Sequence, residues 1–284
     1  MQTYTEELQF KNAIIDADSI LYQIAHVQPS PALCKKALDD SLKEIMAATE
    51  ADNGLVFIKG ANNFRYHVAV DYKGNRKDTI EPEVKDRIEM LYGYAKDFCV
   101  ESDEAEADDY CGVAAQLAMN ADESYVVCHI DKDLDMIPGW HYNFRKKEFY
   151  EITPEQGYYN LMKQVLTGDA TDNIQGIKGL GPKTAEKILK DVAHERMFDK
   201  VIDTYKTKCG NEWQNALLKS ANLIYIRMDS DDFKPLTLEE LKEKFKWKTT
   251  DTGTLLQTDQ TTPLDSSTTS KTLKQEDDTL EESN

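Results

Sequence analysis

Residues 12–19, NAIIDADS, hold a short apolar run that ends on a carboxylate, Asp16. The pattern returns twice, at 55–58 (LVFI) and at 124–130 (SYVVCHI), the last running into Asp131. Between these runs lie segments, about 32–50, 82–98 and 107–119, in which Leu, Ile and Met recur at three- and four-residue steps. Strand alternating with helix predicts a parallel sheet covered by helices. Such sheets gather ligands at the carboxyl ends of their strands, where two of the three runs deliver an Asp.

Past Pro154 the pattern changes to helical periodicity at 155–166, 183–191, 194–206, 212–228 and 236–245, with no β-type run between them. The expected organisation is an α/β domain over 1–154, a helical domain over 155–248 and a tail over 249–284. That tail has no aromatic residue, 11 Thr, and eight acidic residues against two lysines, a net −6. It lacks the apolar surface needed to offset its ordering entropy, so a disordered acidic tail is expected.

The 284 residues carry 52 Asp plus Glu against 34 Lys plus Arg, a net charge of −18, which excludes a generally basic nucleic-acid binder. A local basic face remains compatible with it. No stretch approaches 18 consecutive apolar residues and the beginning, MQTYTEELQFKN, has no signal-peptide layout, so a soluble, cytoplasmic protein is expected. The five cysteines are scattered and contain no CxxC pair, which indicates free thiols.

The carboxylates fall into four clusters: Asp16 and Asp18; Glu106, Asp108 and Asp109; Asp131 and Asp133; Asp169 and Asp172. Each stands at a strand end, a helix start or a turn. Singly, they read as helix caps or turn residues. Together they read as an oxygen-rich, histidine-poor site suited to hard divalent ions, Mg²⁺ or Mn²⁺, two of which can activate water against a phosphodiester. Asp131, Asp133 and Asp135 also begin like a calcium loop, but Met136 stands where that loop needs glycine, and Tyr142 where it needs Glu. NAIIDADS likewise resembles the start of phosphotransferases that use Asp16 as nucleophile, a reading nothing else in the chain supports.

Two cationic features complete the inventory. Gly176-Ile-Lys178-Gly179-Leu-Gly181-Pro182-Lys183 is a glycine-rich turn running into a helix, with Lys187 one turn on. Free amides at such a helix start bind phosphate, and Lys178, Lys183 and Lys187 add positive charge, which favours a grip on a duplex backbone. Asn63-Phe64-Arg65 followed by Asp71-Tyr72-Lys73-Gly74-Asn75-Arg76-Lys77 reads as a mobile basic arm. There Lys73 and Arg76 would clamp a phosphate, Phe64 or Tyr72 would stack on an unpaired base, and Arg65 would add a nucleic-acid contact.

In their order these motifs resemble the 5′-nuclease superfamily of flap endonucleases and 5′→3′ exonucleases, most closely the bacteriophage type. The carrying residues are IIDADS at 14–19, FRYHVAVDYKGNRK at 64–77, EADD at 106–109, HIDKDLDMIP at 129–138 and LTGDATDNIQGIKGLGPKTAEKIL at 166–189. The resemblance spans about 14–230. It implies a mixed, mainly parallel sheet flanked by helices (a PIN-like nuclease core), a helical arch around 60–80 and a DNA-gripping helix–three-turn–helix at about 166–192, often with K⁺ in its turn. It further implies a monomer that cuts near 5′ ends, nicks or flaps of duplex DNA or of RNA–DNA hybrids during replication, in the cytoplasm of a phage-infected host.

By that resemblance Asp16, Glu106 and Asp108 are ligands of a first metal, and Asp109, Asp131, Asp133, Asp169 and Asp172 ligands of a second. Lys73 and Arg76 engage the scissile phosphate, and Gly176, Gly179, Gly181 and Lys183 form the duplex-binding turn. One departure stands out: a further Asp usual before the FR pair is missing, and Ile58, Lys59 or Gly60 occupies its place. Asp18, two residues after Asp16, is expected to supply the missing charge. The alternative is a structure-specific DNA-binding protein of the same fold with impaired catalysis.

Overall fold

In the computed structural model, which describes residues 9–75 and 80–247, β1 (Asn12–Asp16) is buried along its whole length and forms the centre of a sheet. It pairs in parallel with β2 (Asn53–Ile58) on one side and β4 (Tyr125–His129) on the other. Beyond β2 lies β3 (Val100–Glu101), and beyond β4 come β5 (Gly139–Asn143) and the antiparallel edge strand β6 (Glu148–Ile152), so the order is β3-β2-β1-β4-β5-β6. Burial on both faces explains why NAII and YVVCH lack the alternation of a half-exposed strand.

Neighbouring residues of β1 serve opposite faces. Ile15 packs with Leu21, Leu38 and Leu91 of α1 (Asp18–Val27), α2 (Pro31–Thr49) and α4 (Pro82–Ala95), while α3 (Arg65–Val68) lies between β2 and α4 in the chain. Ile14 packs on the other face with Cys111 and Ala115 of α5 (Ala107–Asn120). Small residues on α5 let the helix lie close to the sheet. In this topology β1 lies between β2 and β4, and the crossover direction reverses there, which opens a crevice at the carboxyl ends of β1 and β4.

The helical part is built around α6 (Pro154–Thr167), started by a Thr153–Gln156 capping box. Its Met162, Val165 and Leu166 are fully buried against α7 (Pro182–Leu189), α8 (His194–Cys209), α9 (Trp213–Ile224) and α10 (Leu238–Lys244). Two expectations change here. The run from 168 to 175 is not purely a turn, because β7 (Gly168–Asp169) and β8 (Ile174–Gln175) form a short antiparallel ladder. The helix expected over 212–228 stops at Ile224, where Tyr225 turns to extended backbone, and the Arg227 backbone N–H beyond it donates to Asp109. Among the described residues no helix is long and apolar enough to cross a membrane. The tail expected over 249–284 lies outside them.

Candidate active site

The sheet and two helices deliver the carboxylates to one place. Asp16 ends β1 and is buried, with its Oδ1 accepting the Asp18 backbone N–H at 3.2 Å. Glu106 and Asp108 stand at the start of α5, and Asp131 follows β4. Two of these carboxyls, Asp16 and Asp108, are shifted. Burial, then Asp18 and Asp131, push the Asp16 carboxyl up to about 8. Burial, then Asp16, Glu106 and Asp131, push Asp108 well above the ordinary range. Such a cluster holds negative charge that its own cations do not neutralise.

A second group adjoins it. Asp133 Oδ1 accepts from Lys132 Nζ at 3.1 Å and Gln164 Nε2 at 3.0 Å, and the same lysine lies 3.1 Å from Asp169 Oδ2. Asp169 Oδ1 in turn accepts the backbone N–H of Thr171 and of Asp172. Lys73 bridges the two groups: its Nζ lies 2.5 Å from Glu106 Oε1 and 3.6 Å from Asp172 Oδ2. The structure therefore brings Asp16, Asp18, Glu106, Asp108, Asp131, Asp133, Asp169, Asp172 and Lys73 together. Lys132 and Gln164 were not singled out in the sequence. Lys132 lies within the quoted HIDKDLDMIP motif, whereas Gln164 carries no local signal and is found only through the packing of α6.

Asp18 occupies an informative place. Its Oδ1 accepts the Lys59 backbone N–H at 2.9 Å and the Tyr92 hydroxyl at 2.8 Å. Lys59 is the residue after β2, so this carboxylate lies at the strand end where the expected Asp is missing. Ile58 itself is fully buried in the core between the sheet and α1, α2 and α4.

Three expected site residues, Asp109, Arg65 and Phe64, are placed elsewhere, and a fourth, Tyr72, meets the groove only through its hydroxyl. Asp109 is not among the groove carboxylates: it is fully buried and takes two hydrogen bonds from the Arg65 guanidinium, at 2.5 and 2.9 Å. It also accepts the backbone N–H of Glu106 and of Arg227. Burial alone would raise this carboxyl, but Arg65 and the backbone donors outweigh it and hold Asp109 below its usual range. The reason is helical geometry, since consecutive residues on α5 differ by about 100° in direction and only Asp108 turns to the groove. Arg65 is spent on that pair and on the Leu223 and Tyr225 carbonyls. Phe64 is 2 % exposed beneath the Arg65 and Arg227 guanidinium planes. Tyr72 is 3 % exposed and donates to Glu106 at 3.0 Å. None of the three is available for stacking or backbone contact, so this part of the arm is a packed joint. Arg76 lies outside the described residues.

The glycine turn divides its residues between packing and exposure. A Cβ on Gly176 would meet the Gly168 nitrogen and the Thr167 carbonyl carbon at 2.4 Å, so only glycine allows this close approach. Ile177 and Leu180 enter the core, whereas Lys178, Gly179, Gly181, Lys183 and Lys187 are exposed. Gly179 adopts φ +77, and Gly181 caps α7 ahead of Pro182.

Known proteins bear on this arrangement. No protein-family model matches the chain. DNA polymerase I of Geobacillus stearothermophilus is 33% identical over 166 residues, 52% of this chain and 19% of that protein. The thermostable DNA polymerase I of Thermus aquaticus is 30% identical over 217 residues, 68% of this chain and 25% of that protein. The chain thus spans about a quarter or less of the length of these relatives. Among solved structures, the flap endonuclease of bacteriophage T5 in complex with DNA and metal ions superposes with TM-score 0.63 at 16% identity, covering 83% of this chain and 96% of that one. A zinc-bound T5 5′-exonuclease gives 0.60 at 19%, covering 83% and 97%. The catalytic core of Rad2 with DNA substrate gives 0.50 at 14%, covering 85% and 90%. The chain has the 5′-nuclease fold, with the mainly parallel sheet flanked by helices that its motifs lead one to expect.

Proposed function

We propose that this chain is a divalent-metal-dependent 5′→3′ exonuclease and 5′-flap endonuclease that hydrolyses phosphodiesters near the 5′ ends of duplex or branched DNA, and of RNA–DNA hybrids. The observation that carries the reading is the crowd of carboxylates at the carboxyl ends of β1 and β4, with Asp16 and Asp108 driven toward protonation by burial and then by their acidic neighbours. An all-oxygen donor set with excess negative charge fits Mg²⁺ or Mn²⁺. Asp16, Asp18, Glu106 and Asp108 would hold one ion, and Asp131, Asp133, Asp169 and Asp172 the other, some through water. Bound there, the ions supply an activated water and charge compensation at the leaving oxygen.

The protein's own groups do the positioning. Lys73 spans Glu106 and Asp172 and so partly neutralises the groove as it stands. From that place its ammonium would face a phosphate held in the groove, with Arg76 its expected partner in the family motif. Lys178, Lys183 and Lys187 extend from the exposed side of the glycine turn to hold a duplex backbone, with K⁺ a candidate ion in that turn. The T5 and Rad2 neighbours include complexes with DNA, which supports DNA as the partner.

The missing carboxylate near Ile58 favours the competing reading, a DNA-binding protein without chemistry. Cleavage by the wild type and its loss in Asp108→Asn with binding kept separate the two, and Asp18 tests whether the missing charge is replaced. Asp18→Ala is expected to lower metal-dependent cleavage at least about tenfold with flap binding retained, the size of effect seen when supporting groups around a metal are removed. Full activity in Asp18→Ala would show that the first metal does not need it.

A further inference from the structure

Beneath the Asp131–Asp133 segment lies a polar cluster that the carboxylate groove does not use. His129 ends β4, His141 lies in β5 opposite Tyr150 of β6, and Asp135 belongs to the short 3-10 turn over 132–136. His129 is 1 % exposed and His141 fully buried. The Nδ1 of His129 lies 2.5 Å from the Asp131 carbonyl oxygen, and the Nε2 of His141 lies 2.8 Å from that of Ile137. A carbonyl only accepts, so these two nitrogens carry the N–H of their rings. The other two nitrogens, His129 Nε2 and His141 Nδ1, then face each other at 2.7 Å with a lone pair on each. The Tyr150 hydroxyl oxygen lies 2.8 Å from Asp135 Oδ1 and donates its one proton there, which leaves His129 Nε2, 3.3 Å from the same oxygen, without that donor. Asp135 Oδ1 is itself 3.9 Å from His129 Nε2. Three acceptors from three elements converge here, within 4.8 Å of one another, on a place that calls for a cation.

We propose that His129 Nε2, His141 Nδ1 and Asp135 are ligands of a structural zinc ion, with the Tyr150 hydroxyl or a water as the fourth. Two neutral imidazoles and a carboxylate are a zinc donor set, unlike the all-oxygen groove, which suits Mg²⁺. Both rings already donate their second nitrogen to backbone carbonyls, the outer support that fixes a metal-binding histidine in tautomer and orientation. A tetrahedral ion at about 2.0–2.1 Å from each nitrogen sets those nitrogens about 3.3 Å apart, so the rings part by roughly 0.6 Å on loading. Asp135, 29 % exposed, provides the way in. The ion ties β4 and β5 to the turn over 132–136 and so fixes the segment that presents Asp131 and Asp133 to the groove.

The test uses the full chain, stripped by chelator and returned to millimolar Mg²⁺ so that the oxygen groove is filled. Co²⁺ is then titrated and visible absorption recorded, because four-coordinate Co²⁺ with nitrogen ligands absorbs strongly and an octahedral oxygen site only faintly. One equivalent of strong absorption, displaced by Zn²⁺ and weakened about tenfold or more in His141→Gln and in Asp135→Asn, is the expected result. No such absorption from the folded wild type overturns the proposal, as does absorption unchanged in both variants. If His141→Gln does not fold, the wild-type titration and the partly exposed Asp135→Asn decide the matter.

Discussion

At the scale of single residues, two neighbouring acids on α5 have opposite fates. Asp108 turns into the groove, where burial and surrounding carboxylates raise its affinity for a proton, while Asp109 is clamped by Arg65 and stays ionised. Removing one partner of a buried pair strands the other's charge, so Asp109→Asn and Arg65→Ala are each expected to cost about 3–5 kcal/mol in urea unfolding. Asp108→Asn removes repulsion and should leave stability equal or higher in the absence of metal. Asp16 yields a pH dependence. Its folded-state value, pushed up to about 8, lies above the 3.8 of the unfolded chain. The folded state thus binds the extra proton, and stability present below about pH 4 is lost as pH rises through about 8. Thermal midpoints in EDTA should fall between about pH 5 and pH 8, and Mg²⁺ should raise the midpoint more at the upper value than at the lower. A metal effect that is independent of pH would mean that the groove carboxylates are not its ligands. The acids were legible in the sequence as four clusters, but the separation of Asp108 from Asp109 was not. It depends on which way α5 is turned and on an arginine 44 positions away in the chain.

Among the elements, the strands at 12–16 and 125–129 and the helices α2, α4 and α5 stand close to where periodicity places them, because each buries a continuous apolar face. Three features were harder to read. α1 begins inside the acidic motif itself, so its start is masked by IDADS. The segment from Phe64 to Tyr72 looks like a basic loop, yet Phe64, Arg65, Ala69 and Tyr72 are buried. Their burial depends on α9 and on the chain after it, elements more than a hundred positions away, which no local pattern reveals. The β7–β8 ladder is two residues per strand, too short for an alternation to register. The glycine turn predicts a graded mutational response. Gly176→Ala forces a methyl into backbone atoms and should cost about 1–3 kcal/mol, whereas Gly181→Ala, with open space around its Cβ, should stay within about 0.5 kcal/mol. Lys178→Ala and Lys183→Ala, both exposed, should leave the thermal midpoint unchanged, weaken duplex binding, and each lower the salt slope by about 1. Unchanged salt dependence in the double variant would remove the turn from the DNA-binding surface.

For the molecule as a whole, a net charge of −18 and the proposed binding of DNA are reconciled by segregation. The groove is acidic and on the proposed reading would admit a phosphate once cations are bound, while the glycine turn carries exposed lysines. The measurement that tests this most directly is cleavage of a 5′-labelled flap duplex and a nicked duplex by the wild type and Asp108→Asn, each with Mg²⁺ or with EDTA. Short labelled products only from the wild type with Mg²⁺, with flap binding by Asp108→Asn intact, are the expected result. Salt-sensitive flap binding by both proteins and no product under any condition would contradict it, and would make this chain a binder of branched DNA rather than a nuclease.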